Sequence, residues 1–158
     1  MASVAELVTD YLDGAKQLRA AAGGLTPQQA TERPIPGKWS VLEVVCHLAD
    51  FEPIYVDRMK RIIALERPLL IGADEVLFAK NLAYHHRDLE EELATIDLAR
   101  RGFARVLRSL PETVLQRTGV HNERGMTTLE EMLVLCNKHL RHHTAFVVEK
   151  RRALGLAG

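Results

Sequence analysis

Two histidines four residues apart, His139 and His143, are the strongest chemical signal in the sequence. The segment that carries them has apolar residues at helical spacing, so both imidazoles should project from one face, one turn apart. They fall on the apolar stripe, between Cys136 and Val147, and should point into the protein interior. Two inward imidazoles at this spacing can bind one transition metal if other helices complete the site. The alternative is a pair of core histidines that hydrogen-bond to backbone or side chains.

A third histidine, His47, flanks the apolar stripe of another predicted helix and is the natural third ligand. On its own it would be interpreted as a buried core histidine, and the facing pair makes it a ligand candidate. Asp50, three residues later, is either a solvated surface charge or the acceptor of a hydrogen bond from the free ring nitrogen of His47, an arrangement common around metals. Cys136, three residues before His139, is either a soft fourth ligand or a small buried hydrophobe.

His85 and His86 lie between Leu82 and Leu89, so that either could face the interior. Together with Asp50 they are the candidate catalytic residues, with acid–base or substrate-lining roles. Motifs of other chemistries are missing from the sequence: it has no serine nucleophile elbow, no glycine-rich phosphate loop and no C-x-x-C pair. A di-iron bundle would need Glu-x-x-His motifs, which the sequence lacks as well.

Three neutral histidines would leave the charge of a divalent ion uncompensated and at least one coordination position open, as in catalytic sites. An open position can hold water and lower its pKa to about 7, or bind a thiol as thiolate. Imidazole ligands suit nickel, zinc, iron and copper alike. The residues themselves therefore leave open a hydrolase, a thiol-dependent transferase, a non-catalytic metal- or ligand-binding module, and an interaction domain without metal.

Helical periodicity predicts four long helices that position these residues, and no strand pattern of any length is found. The predicted helices span residues 3–22, 40–66, 74–110 and 127–154, with breaks in the third expected only at its ends. Ser40 followed by Glu43 predicts the start of the second helix, and Thr127 or Thr128 the start of the fourth. Four amphipathic helices, each with one apolar stripe, are best buried as an all-α bundle, and we predict a single domain over residues 1–158.

The composition narrows the class of protein. The 158 residues hold 21 basic and 21 acidic side chains, so the formal net charge is zero, which argues against a nucleic-acid binder. Two cysteines do not suggest a disulfide scaffold. The N-terminus does not resemble a signal peptide, and no apolar run is long enough for a bilayer span, so we expect a cytoplasmic protein without a membrane partner.

Several short motifs in order resemble the DinB/YfiT-like superfamily over nearly the whole chain. They are Arg33-Pro34, Gly37-Lys38-Trp39-Ser40-Val41, His47-Leu48-Ala49-Asp50, His121, Gly125, Thr128-Leu129-Glu130-Glu131 and His139-x3-His143. The resemblance implies a four-helix bundle of up-down-down-up topology that is often a homodimer. It also implies a divalent metal, commonly nickel or zinc, held by His47, His139 and His143.

The resemblance further bears on the reaction. The superfamily includes thiol-dependent S-transferases, a mycothiol-dependent isomerase and proteins described as metal hydrolases. The resemblance thus favours an S-transferase-type reaction on a small electrophile, with a low-molecular-weight thiol as co-substrate. A metal-dependent hydrolase is the alternative, and a non-catalytic metal-binding bundle is a third.

Overall fold

Four long helices form the frame of the molecule in the computed structural model, which describes residues 2–156. They are α1 (Val4–Ala22), α3 (Val41–Ala64), α5 (Leu89–Arg108) and α6 (Leu129–Ala153). Two short helices, α2 (Pro27–Thr31) and α4 (Glu75–Asn81), lie in the connections. The fold is the predicted four-helix bundle, and the outermost residues of the predicted domain, 1 and 157–158, lie outside the described residues.

Capping boxes fix the starts of the two helices that carry the histidines. The Ser40 hydroxyl accepts a hydrogen bond from the Glu43 backbone N–H, and the Glu43 carboxylate accepts one from the Ser40 backbone N–H. Thr128 and Glu131 make the same reciprocal pair at the start of α6. Each box satisfies backbone donors that would otherwise lack partners. The sequence predicted the box at Ser40, and of the two candidates that it left open for α6 the structure has Thr128 as the cap.

The order of the helices around the bundle differs from a simple meander. Helices α1 and α3 each pack against both α5 and α6, so α1 and α3 occupy diagonal corners. The long connection over residues 23–40 crosses between these corners. This is why the first two long helices can follow one another in sequence without lying side by side.

Side-chain contacts give the directions of the helices. Arg19 near the end of α1 pairs with Glu90 at the start of α5, so these two helices are antiparallel. Asn137 bonds to the start of α1 and Arg151 to its end, so α1 and α6 are parallel. In α3, His47 contacts the second half of α6 while Glu52 contacts its first half, so α3 and α6 are antiparallel. The topology is up-down-down-up.

The prediction of one continuous helix over residues 74–110 is wrong. This segment is broken into α4 and α5, with a short 3₁₀ turn over Tyr84–His86 between them. Ala83 enters the left-handed region at φ +50°, which a helix cannot continue through. Asp88 then caps α5 by accepting a hydrogen bond from the Glu91 backbone N–H.

The expectation of no strands is also wrong, because a small three-stranded sheet closes one end of the bundle. Strand β1 (Leu69–Leu70) runs parallel to β2 (Thr118–His121), with Leu70 opposite His121. Strand β2 pairs antiparallel with β3 (Gly125–Thr128). Strands of two to four residues are too short to show alternation. At Gly119 a Cβ atom would approach the Leu70 side chain to 2.9 Å, so a larger residue there would displace that side chain.

A buried ion pair at the centre of the bundle joins all four long helices. Arg100 of α5 is fully buried and donates two hydrogen bonds, of 2.8 and 2.9 Å, to Glu52 of α3. Its remaining terminal nitrogen donates to the backbone oxygen of Tyr11, whose hydroxyl donates to Glu52. Cys136 of α6 lies 3.5 Å from the guanidinium.

Across residues 2–156, every helix is too short or too polar to cross a lipid bilayer.

Candidate metal centre

The three predicted ligands converge in one place. His47 comes from the first half of α3, and His139 and His143 come from successive turns of the antiparallel α6. The Nε2 atoms of His47 and His139 are 2.9 Å apart, and one ring nitrogen from each of the three residues lies within 4.8 Å of the others. Nitrogens bound to one zinc ion at about 2.0–2.1 Å can be no more than about 4.2 Å apart, so small side-chain adjustments would close the site.

Burial keeps these imidazoles neutral. Burial first, and then the neighbouring His143, lower the pKa of His47 to about 3. Burial also lowers the pKa of His139 to about 3, with added effects of His143 and His47. For His143 the pKa falls to about 4, through burial and then the nearby His142 and Lys150. A metal ligand must carry a free lone pair, so a neutral cluster is the protonation state that binds an ion.

The nitrogens of the cluster fit a cation. The Nε2 atoms of His47 and His139 face each other at 2.9 Å, so one ion could accept a lone pair from each. Nδ1 of His143 is buried and has no hydrogen-bond partner within the described part of the chain, as expected of a nitrogen whose partner is a bound group. Three neutral nitrogen donors suit a divalent transition metal.

Aromatic rings surround the cluster and limit its contact with water. Phe51 lies 4.5 Å from His47 between ring centroids, and Tyr55 lies 5.5 Å from His139. Trp39, just ahead of the Ser40 cap, lies 5.4 Å from His47. An apolar shell of this kind strengthens electrostatic interactions inside the site.

Glu75 is the residue that sequence reasoning missed. It is the first residue of α4, and its Oε2 lies 3.8 Å from Nε2 of His47. Its side chain is 57% exposed, so it faces the histidines from the solvent side. The sequence does place an Asp74-capped helix start here, but only the tertiary fold brings that start to the histidines, 28 positions away from His47.

Asp50 makes neither of the two predicted arrangements: it does not bond to His47, and it is not a solvated surface charge. Its carboxylate pairs with Arg87 at 2.9 Å, while Nδ1 of His47 has no partner in the described residues. Spacing of three residues on a helix permitted the contact. Arg87 lies between Asp50 and Glu92 of α5 and donates to both. Its guanidinium carries a full positive charge, so it binds the Asp50 carboxylate more strongly than a neutral imidazole would.

The other candidates also lie away from the cluster. His85 is exposed, and its Nε2 lies 3.2 Å from the Glu43 carboxylate, which also binds Arg33. His86 is exposed in the same turn. Within residues 2–156, no ring contact or hydrogen bond joins either one to the three histidines. The thiol of Cys136 lies 3.8 Å from the oxygens of Glu52, so it belongs to the buried ion pair and not to the ligand set.

A cavity of about 390 Å³ opens beside His143. Trp39 and Phe146 give it aromatic walls, and Glu75 connects it to the side of the site that faces His47. Lys38, Glu149 and Lys150 complete its charged lining. The volume suits a small molecule bound next to the three histidines.

Comparison with known proteins agrees with this geometry. The sequence model that describes the DinB superfamily matches residues 11–147 of the chain. The chain belongs to the DinB superfamily. The matched span contains all three histidines of the cluster.

Two relatives of similar sequence share one descriptive name. A protein of Oceanobacillus iheyensis called "Putative metal-dependent hydrolase" is 27% identical over 142 residues, which are 90% of this chain and 82% of the relative. A Bacillus licheniformis protein of the same name is 30% identical, over 87% of this chain and 79% of the relative.

A solved structure matches the fold closely. It is YfiT from Bacillus subtilis, described as "a probable metal-dependent hydrolase with an unusual four-helix bundle topology". The superposition gives a TM-score of 0.89 at 25% identity and covers 98% of this chain and 89% of YfiT. The close match extends over the whole bundle, including the connections that carry the sheet and α4.

Proposed function

We propose that this DinB-superfamily protein is a divalent-metal-dependent hydrolase of small molecules, with His47, His139 and His143 as the metal ligands. The observation that carries the proposal is the convergence of three neutral imidazoles, one buried and two half-buried, beside a cavity. A structural metal site would have four protein ligands, whereas three leave room for a reactant. The hydrolase names of the relatives support this choice over thiol transfer, for which the comparisons offer no counterpart.

The ion, zinc or nickel by family resemblance with iron also compatible, would supply Lewis acidity and a lowered water pKa. The cavity would hold the substrate with its scissile bond beside the histidines. Glu75, on the open side of the site, is placed to accept a proton from the attacking water. The water oxygen then bonds to the electrophilic carbon, the bond to the leaving group breaks, and Glu75 returns the proton to the leaving group.

The aromatic shell would act on the same step. Phe51 and Tyr55 restrict water around the imidazoles, so the charge that develops in the transition state is poorly screened. Trp39 covers His47 and forms part of the cavity wall, so it would also contact the bound substrate.

The test is a hydrolysis panel of small esters, amides and lactones with zinc-loaded and nickel-loaded protein. The panel would be run with and without a low-molecular-weight thiol and an electrophile. Hydrolysis that requires the metal supports the proposal. Thiol consumption without hydrolysis would instead support the transferase that the resemblance favours, and a loaded protein inactive in both assays would point to a non-catalytic metal-binding bundle.

Glu75→Gln separates the proton-transfer role from metal binding. General-base catalysis contributes about 10²–10⁴-fold to a rate, so hydrolysis should fall by that order while metal content stays unchanged. Asp74→Asn, at the cap one residue earlier, is the matched control and should change the rate much less. Loss of metal from Glu75→Gln would show that Glu75 is a ligand and not a base.

A further inference from the structure

Lys150 places a buried ammonium group at the wall of the cavity beside His143. Only 3% of the residue is exposed. Its Nζ donates a long hydrogen bond, 3.4 Å, to the Phe146 backbone oxygen of its own helix and lies 5.4 Å from the Phe146 ring centroid. A buried charge with so little compensation is costly, and such groups are normally paired.

Neighbouring carboxylates do not supply that pair. Among residues 2–156, no carboxylate oxygen lies within 4.0 Å of Lys150 Nζ. Glu43 is occupied by Arg33, by the Ser40 backbone N–H and by His85. Glu149 is exposed at the cavity rim. Burial lowers the pKa of Lys150; Glu149 opposes this effect and Lys38 adds to it.

We propose that Lys150 binds the carboxylate of a small substrate, whose apolar body lies between Trp39 and Phe146 and whose scissile group reaches the three histidines. The cavity then has three parts: an anion-binding end, an aromatic middle and the metal centre. A carboxylate would give Lys150 the charge-assisted hydrogen bond that it lacks.

The charged residues that line the cavity favour a ligand with one negative charge over a ligand with two. In the metal-free protein, Lys38 and Lys150 are balanced by Glu75 and Glu149, so the cavity has no net positive charge. A dianion such as a phosphate monoester would be repelled by both carboxylates. A monoanionic carboxylate needs only the one buried ammonium group.

Binding can be measured without catalysis or metal. Trp39 is the only tryptophan of the chain and lies in the cavity wall, so its fluorescence reports occupancy. Metal-free protein would be titrated with 3-phenylpropionate, with its neutral amide and with phenyl phosphate. A charge-assisted hydrogen bond implies a roughly tenfold tighter dissociation constant for the carboxylate than for the amide. Phenyl phosphate should bind more weakly than the carboxylate.

Three variants assign the effect to one side chain. Lys150→Met should bind carboxylate and amide equally, and its melting temperature should not fall, because a costly buried charge is removed. Lys150→Arg should keep the preference for the carboxylate. Lys138→Met removes an exposed lysine of the same helix and should behave as the unmodified protein.

The inference would be overturned if carboxylate and amide bind the unmodified protein equally, if the preference persists in Lys150→Met, or if none of the three probes changes Trp39 fluorescence. Tighter binding of phenyl phosphate would overturn the choice of a monoanion. That the bound carboxylate is a substrate rests on the proposed hydrolase function. Its binding to Lys150, which the titration measures, does not. A metal-loaded protein that hydrolyses nothing yet prefers the carboxylate would refute the function and leave the Lys150 site standing.

Discussion

At the scale of single residues, the decisive property of the three histidines is that they are neutral before any ion arrives. Two come from one helix and are fixed one turn apart, and the third comes from the facing helix. Their closeness would be repulsive if they were protonated. The fold therefore maintains a preformed set of lone pairs, which is the condition for tight binding of a transition metal.

His143→Ala should remove most of the affinity for zinc or nickel, because two remaining imidazoles cannot hold the ion alone. His142→Ala is the matched control: His142 is the adjacent, exposed residue, outside the cluster. Metal content after dialysis and competition with a chelator measure both. Equal retention of metal by the two variants would mean that the wrong face of α6 has been assigned.

The stability of the metal-free protein should fall as the pH drops from about 6.5 towards 4. The histidine pKa values lie near 3 to 4 in the folded protein and near 6.5 in the unfolded chain, so the unfolded chain binds more protons in this window. Each histidine adds a slope of at most about 1.4 kcal/mol per pH unit. Burial lowers the pKa of His121 too, and it adds in the same direction.

Urea unfolding at pH 7, 6 and 5 tests this pH dependence. Replacing His143 with Asn should make it shallower, because one of the titrating groups is gone. Stability that is constant from pH 7 to 5 would contradict the neutral state of the three histidines.

At the scale of elements, the break between α4 and α5 carries Glu75 to the histidines. A continuous helix over residues 74–110 could not turn its first residues towards α3. The left-handed Ala83 makes the turn, at a conformational cost that glycine would not pay.

Ala83→Gly should therefore stabilise the protein by up to about 1 kcal/mol in urea unfolding. Ala79→Gly is the control, since Ala79 lies inside α4, where glycine should destabilise by about 0.5–1 kcal/mol. Destabilisation by both changes would mean that Ala83 is not held in the left-handed region in solution.

Within the whole molecule, the buried pair of Arg100 and Glu52 links all four long helices. Removing one partner of a buried pair leaves an uncompensated charge. We expect Glu52→Ala to cost about 3–5 kcal/mol in free energy of unfolding. Arg101→Ala, which removes an exposed pair with Asp97 on the same helix, should cost less than about 1 kcal/mol. Similar costs for both would place Glu52 in contact with water.

The homodimer stays a prediction that rests on the family resemblance. Sedimentation at micromolar concentration should give about twice the chain mass of 17.7 kDa. A mass near that of one chain would contradict it. Because the three histidines all come from one chain, metal binding should be the same in either state.

Features that depend on local spacing could be predicted from the sequence. The periodicity of four apolar stripes and the caps at Ser40 and Thr128 specify the bundle, because helices form from interactions three and four residues apart. The His139–His143 pair follows from the same rule. His47 could be chosen as third ligand because a pair on one helix needs a partner on another.

The residues that lie next to these histidines could not be predicted, because they depend on contacts between elements that are distant in sequence. Asp50 was near His47 in sequence but paired with Arg87, and Glu75 reached His47 through a helix break that periodicity does not reveal. The sheet formed from strands too short to carry a pattern. The burial of Lys150 and Arg100 also depends on neighbouring helices, because a charged residue on a helix looks the same in sequence whether solvent or another helix covers it.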